Sequence, residues 1–369
     1  MNTALSTFIG NYFFVSYASL KLIEQIILGL ITVRDVNLTE LAFIVCGKSK
    51  LDSGYRKLQR FFCDCNICYS SLAKLLVRIA GIEVDKWLLT LDRTNWKFGK
   101  LHINILVLAI CYHGIAIPIL WSMLDKNGGA SNYKERESLI SRFIGIFGIE
   151  KISGLLGDRE FIGDRWLRFL DDRSISFYIR IREDITIGRG KGELVTANRL
   201  VKGLKNGEYI ILKSKRYLGT KHEGPKIFIA ACRNDKGELV IIATNDNPDL
   251  AFETYKKRWE IETLFACLKS QGFNLENTHM TDFKKIEKML GLLAITFTFC
   301  HIVGIWRHEV EPIKLKAHKR KAMSTFRYGL DYIRKILLYL ESMRREFEEI
   351  IDKFIKPSIT NFSWIRLCC

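Results

Sequence analysis

The sequence predicts a mixed α/β chain in which helical ends flank a strand-rich middle. Three observations carry this. Residues 86–123 hold three apolar runs rich in Ile, Leu and Val; residues 177–244 hold further strand-like runs joined by Gly- and Asn-containing turns; and the stretches on either side show helical spacing with recognisable caps.

At 369 residues and 48% hydrophobic content, the chain can bury a sizeable core in two or three domains. Such a composition excludes a disordered protein. Lys and Arg number 57 against 40 Asp and Glu, a formal net charge of +17 that suits a polyanionic partner such as nucleic acid. The excess is concentrated in residues 183–243 and 307–345, the latter with 11 basic against 4 acidic side chains. The ten cysteines are scattered and no cleavable signal precedes them, so reduced thiols in a cytoplasm are expected. Cys63, Cys65 and Cys68 have a metal-like spacing but lack an obvious fourth ligand, and they read as buried thiols. The Cys368–Cys369 pair carries no prenylation pattern.

Taken in order, residues 1–84 read as mostly helical. Asn37-Leu38-Thr39-Glu40 can cap a helix running to Cys46, and after Gly47 a second helix runs from Leu51 to Phe62. This pair resembles a helix-turn-helix. Lys48, Lys50, Arg56, Lys57 and Arg60 give the second helix and its approach a basic face, as a groove-entering element needs; a solvated helix pair has the same pattern.

The period then changes. KWLLTLD, INILVLAICY and IAIPILWSML read as three adjacent strands, the last two joined by a His113-Gly114 turn. Asp92 closes the first apolar run, either as a turn residue or as a carboxylate held at a sheet edge for a metal. A helix around Lys134–Phe147 follows, then a short strand over Ile152–Leu156 that ends in Gly157-Asp158-Arg159-Glu160. Asp158 is a second candidate ligand, or the cap of a helix starting near Phe161. Four strand-like runs occupy 177–244, with turns at Lys205-Asn206-Gly207 and Asn234-Asp235-Lys236-Gly237.

Asn247–Gly272 reads as one helix, with Asn247 as cap, Pro248 at the first position and Gly272 as a left-handed stop. At about 100° per residue, Tyr255, Arg258, Glu262 and Lys269 fall on one face, as a salt-bridged surface or as a site. Three apolar stretches invite a membrane reading. Residues 1–20 lack a basic start, residues 101–124 are broken by a turn and Pro118, and Met289–Trp306 reads as a core helix, so no membrane contact is expected.

The spacing Tyr255-x2-Arg258-x3-Glu262-x6-Lys269 resembles the signature of the insertion-sequence-four family of DDE transposases, and Asp92-Arg93-Thr94-Asn95-Trp96 resembles that family's first catalytic motif. The resemblance implies a ribonuclease-H-like catalytic core with a β-rich insertion. It implies a helical DNA-binding domain over 1–84, a core over 85–182 and 244–306, the insertion over 183–243, and a basic helical region over 307–369. Asp92, Asp158 and Glu262 are then the catalytic carboxylates and the ligands of two divalent ions, Mg2+ or Mn2+. Tyr255, Arg258 and Lys269 hold DNA phosphates. The implied activity is metal-dependent cleavage and strand transfer of double-stranded DNA, at terminal inverted repeats and at a target. A dimer brings the two ends together. The insertion has room in the 103 residues between Asp158 and Glu262. In some relatives a tryptophan there stacks on a flipped base; none lies between Trp166 and Trp259 here, leaving Tyr209, Tyr217 or Phe228. A non-catalytic DNA-binding repressor derived from such an element is the alternative, and no inactivating substitution at the three carboxylates favours it.

Overall fold

The structure is a computed structural model that describes residues 3–125, 129–190, 193–219, 224–317 and 319–355. The Cys368–Cys369 pair lies outside the described residues. By packing, the chain divides into two compact units, one of residues 83–95 and 102–263, the other of residues 1–82, 96–101 and 264–369. These borders differ from the segment borders expected from sequence, because the helices at the two ends of the chain share one core.

The chain opens with α1 (Thr3–Gly10), α2 (Tyr17–Val33), α3 (Leu38–Val45), α4 (Leu51–Asp64) and α5 (Tyr69–Ala80). The expected cap at Asn37 is present, its side chain accepting from the Thr39 amide at 2.9 Å. Gly47 turns the chain at φ 55° into α4. Gly54 lets α4 approach α3 closely, since a Cβ there would stand 2.8 Å from the Ala42 carbonyl oxygen.

The strand-rich unit contains β1 (Trp87–Phe98), β2 (Leu101–Tyr112), β3 (Ile115–Met123), α6 (Tyr133–Phe147), β4 (Ile152–Gly157), α7 (Asp164–Asp172) and β5 (Phe177–Ile181). These are followed by β6 (Thr186–Gly190), β7 (Glu193–Thr196), α8 (Ala197–Leu200), β8 (Tyr209–Tyr217), β9 (Lys226–Arg233) and β10 (Leu239–Thr244). The long sheet is mixed, in the order β3-β2-β1-β4-β5-β10-β9-β8. β4 runs parallel to both β1 and β5, whereas β10 is antiparallel to β5 and to β9.

Burial follows from that order. Ile103–Ile110 of β2 is buried without a break, the pattern of a strand covered on both faces. Pro118 sits in β3 at the sheet edge, where a missing N–H is tolerated. His113 and Gly114 make the expected turn with positive φ. α6 starts on a capping box, Asn132 and Glu135 each bonding the other's backbone.

Two expectations change here. β8, β9 and β10 continue the main sheet beyond β5, so much of the segment expected as an insertion is sheet edge; β6 and β7, neither of which was expected, form a sheet of their own. Residues 247–272 are not one helix. A 3-10 turn at Pro248–Leu250 leads into α9 (Ala251–Lys256), and α10 (Trp259–Leu268) follows after a break. At the break the amides of Lys257, Arg258, Glu260 and Ile261 bond to the third residue back, which tightens the backbone.

The chain continues through α11 (Phe283–Val310), α12 (Thr325–Leu338) and α13 (Arg344–Phe354). α11 is long and apolar enough to cross a membrane, yet 83% of its most apolar window is buried within the protein. It packs on α2, α4, α5 and α12. A Cβ on Gly304 would meet the Thr325 carbonyl oxygen at 2.0 Å, and one on Gly329 would meet that of Cys300 at 1.9 Å. Glycines therefore set the crossing of α11 and α12.

Candidate active site

The site begins at the ends of two parallel strands. Leu91 of β1 is paired with Gly157 of β4, so the next residues, Asp92 and Asp158, follow where the pairing of these two strands ends. Carboxylates at the carboxyl ends of adjacent parallel strands stand where open α/β sheets present their ligands. β1 continues past Asp92 to Phe98, so Asp92 closes the apolar run but not the strand. The helix that Asp158 was alternatively expected to cap starts only at Asp164; the Asp158 carbonyl instead accepts from the Phe161 amide at 2.9 Å.

Asp92 is mostly buried. One oxygen, Oδ1, accepts from the Arg93 amide at 2.7 Å, and Oδ2 lies 3.4 Å from Arg258 Nη1. Burial pushes its carboxyl up to about 6; the Arg93 amide and Arg258 pull it down, and the charges of Asp158 and Glu160 push it further up. Arg258 is 6% exposed, and its Nη2 lies 2.5 Å from Glu262 Oε1. One guanidinium therefore links Asp92 and Glu262.

Beside these lies a second ion pair that sequence reasoning missed. Arg93 engages Glu160 with Nε at 3.1 Å from Oε1 and Nη2 at 3.0 Å from Oε2, a bidentate fork. Its Nη1 donates to Oδ1 of buried Asn104 at 3.1 Å. Arg136, also buried, donates to the Glu160 carbonyl at 2.9 Å. Arg93 follows Asp92, and Glu160 stands two residues after Asp158, so the pair joins the two strand ends. Its signal was present in the DRTNW and GDRE motifs, where charges of opposite sign follow the two aspartates.

The four signature residues do not share one environment. Tyr255 belongs to a buried cluster with Leu156, Tyr178, Ala230, Ile242 and Ala251, and burial pushes its hydroxyl up to about 12. The Arg258 guanidinium lies over its ring at 5.7 Å. Lys269 lies just beyond α10; it pairs with Glu276 at 2.7 Å and lies over Trp96 at 6.0 Å. Gly272 is not a left-handed stop. Asn274 takes that conformation at φ 50°, and Gly272 is needed because a Cβ there would stand 2.0 Å from the Cys267 carbonyl oxygen.

Elsewhere, Lys48, Lys50, Arg56, Lys57 and Arg60 are all exposed on α4 and its approach. Tyr209 is exposed, while Tyr217 and Phe228 are half-buried under Lys226 and Lys215. Of the three clustered cysteines, Cys65 is buried, but Cys63 and Cys68 are exposed because they lie at and beyond the end of α4, so the reading as buried thiols holds only for Cys65.

Among the described residues no three His, Cys, Asp or Glu side chains are gathered as a metal-holding group. The donors nonetheless fit a divalent cation. They are carboxylate oxygens, the hard donors such ions prefer, and Asp92 is a buried acid near two further acids. In this structure the Arg258 guanidinium pairs with both Asp92 and Glu262.

No curated protein matches the chain. Among solved structures it is similar to a piggyBac transposase, seen by cryo-electron microscopy as a synaptic complex with hairpin DNA, at 10% identity and a TM-score of 0.47. That likeness covers 92% of this chain and 77% of the other, and is too distant to carry an activity. The transposase DDE domain matches residues 86–299, more than half of the sequence, and that span includes both strand-end aspartates and Glu262. The chain belongs to the transposase DDE domain family, and its enzyme class is that of the DDE transposases.

Proposed function

We propose that the chain is the transposase of a bacterial insertion sequence, acting in the cytoplasm on chromosomal or plasmid DNA. It binds the terminal inverted repeats of its element, cleaves the DNA at the element boundary and joins the freed end to target DNA. The observation that carries this reading is the register of Leu91 with Gly157, which makes Asp92 and Asp158 neighbours, with Glu262 joined to Asp92 through Arg258. The strand order β3-β2-β1-β4-β5, with β4 parallel to both neighbours, supports a ribonuclease-H-like core. The spacing from Tyr255 to Lys269 supports the insertion-sequence-four family within the larger one.

Two divalent cations, magnesium or manganese, would be held by Asp92, Asp158 and Glu262, and would supply activation of the attacking oxygen and stabilisation of the leaving one. The chain's own residues orient and neutralise. The Arg93 amide fixes the rotamer of Asp92, and Arg258 keeps the Glu262 carboxylate directed at the same place. Water forms a bond to phosphorus as the bond from phosphorus to the 3′ oxygen breaks; the water gives up a proton to solvent and the departing 3′ oxygen takes one up, leaving a 3′ hydroxyl and a 5′ phosphate. That hydroxyl then attacks a phosphodiester of the target, displacing its 3′ oxygen.

Exposed Lys48, Lys50, Arg56, Lys57 and Arg60 on the helix pair α3–α4 would meet DNA phosphates and groove edges. Lys269 would meet DNA phosphate as well. Tyr255 is buried, so its part is to pack behind Arg258. Two copies would act together, since two element ends must be joined, and no membrane takes part. Incubation with labelled inverted-repeat DNA and Mg2+ tests the reading: cleavage at the repeat boundary supports it, and tight repeat binding without cleavage favours a repressor.

A further inference from the structure

The link between α11 and α12 is a hairpin that carries a run of cations. Residues 312–330 contain Lys314, Lys316, Lys319, Arg320, Lys321 and Arg327 and no acidic residue. Leu315 and Lys321 form an antiparallel bridge, and the Ala322 amide donates to the Lys314 carbonyl at 2.8 Å. The turn is closed by two more bonds of 2.8 Å, from the Lys316 amide to the Arg320 carbonyl and from the Lys319 amide to the Lys316 carbonyl. Lys319 adopts φ 62°, a left-handed conformation that few non-glycine residues take.

The base of the hairpin is anchored. Ile313 is 5% exposed, and its amide donates to His308 Nδ1 at 2.9 Å. The Tyr328 hydroxyl donates to the Glu311 carbonyl at 3.1 Å. The flanking acids are engaged locally, Glu311 by Arg307 and Asp331 by Arg327. Below the anchor, the glycine crossing of α11 and α12 fixes the two helices. Lys314, Lys316, Lys319, Arg320 and Lys321 are nevertheless all exposed. A solvated charge run would serve equally well as a loose loop; here several bonds hold the cations outward from a rigid stem.

We propose that this hairpin is a second DNA-contacting element, which grips the phosphate backbone of duplex DNA without reading sequence. The proposal rests on the transposase reading above. Lysines recognise phosphate as point charges and carry no base-edge code, so the contact adds affinity at any sequence. Among the described residues of the link, Leu315 and Met323 are the exposed large apolar side chains, too little for insertion into a bilayer.

The test measures affinity of the full chain for a duplex lacking any repeat sequence, by fluorescence anisotropy across a salt series. The variant combines Lys316→Gln, Lys319→Gln and Lys321→Gln. The control makes three similar changes at exposed Lys86, Lys134 and Lys236. Each phosphate contact contributes about 0.9 to the slope of log K against log salt, so the hairpin variant should lose about 2 to 3 from that slope. The control should lose less than about 1, and the thermal midpoints of all three proteins should agree. A hairpin slope equal to wild type overturns the proposal while leaving the transposase reading intact. A wild type with no salt-dependent affinity for duplex overturns both. Loss of binding to anionic vesicles with DNA affinity unchanged assigns the hairpin to membranes and overturns the DNA proposal.

Discussion

Arg258 reaches Glu262 across 2.5 Å while its other terminal nitrogen lies 3.4 Å from Asp92, so a cation already joins two acids that belong to different elements. The guanidinium is nearly inaccessible, and removing it leaves buried charge without a partner. Arg258→Ala should therefore lower stability by about 3 kcal/mol at pH 7, the usual cost of breaking one side of a buried pair. The loss should shrink at pH 5, where Asp92 is protonated. Urea denaturation at the two pH values measures both, and equal losses would contradict the link to Asp92.

The Arg93–Glu160 fork ties the two strand ends together, and its effect should appear in metal binding before it appears in folding. Glu160→Gln should weaken Mn2+ binding, measured by calorimetry, about tenfold while the thermal midpoint moves only a few degrees. A double-mutant cycle with Arg93→Gln should give a coupling of about 1 to 2 kcal/mol. Zero coupling would show the two residues acting separately.

Asp92 sets a pH dependence whose sign is fixed by its raised carboxyl. The folded protein holds that proton up to about 6, against an ordinary value of 3.8 in the unfolded chain. Between those values the folded state binds more protons, so this contribution to stability is full below pH 3.8 and is lost as pH rises to about 6. Metal-free protein should therefore show a stability component falling by about 2 to 3 kcal/mol over that range. Asp92→Asn should remove it. Denaturation curves with the same pH slope in both proteins would assign the shift elsewhere; Glu260, raised by burial to about 7, would be the first alternative.

The crossing of α11 and α12 tolerates no side chain at Gly304. Gly304→Ala should cost more than about 2 kcal/mol, because the obstruction is backbone and cannot rotate away. A thermal midpoint within about 1 °C of wild type would contradict the close approach.

Much of this architecture was legible from period and punctuation. The run Ile103–Ile110 is buried on both faces and reads as strand, and the Asn37 cap marks a helix start through a side-chain oxygen that local bonding rewards. Asp92 and Asp158 were legible because each follows an apolar run. What stayed hidden depends on partners distant in sequence. The break before Trp259 lies in a stretch whose helical spacing is unbroken, and Gly272 looked like a stop when its lack of a Cβ serves a backbone contact. β8 to β10 looked like an insertion because strand order cannot be read from strand composition. The Arg93–Glu160 pair spans 67 positions, so the charges in DRTNW and GDRE were visible locally while their pairing depends on the fold.

The most direct measurement compares wild type with Glu262→Gln on labelled DNA carrying the inverted repeats that flank the gene, in Mg2+, following nicking and binding together. Glutamine keeps the shape and can still accept from Arg258, but it lacks the charge a metal needs. Metal-dependent cleavage at the repeat boundary that falls at least about a thousandfold in the variant, with repeat affinity within about threefold, is the predicted result. Equal cleavage by the two proteins would remove Glu262 from the site and contradict the account.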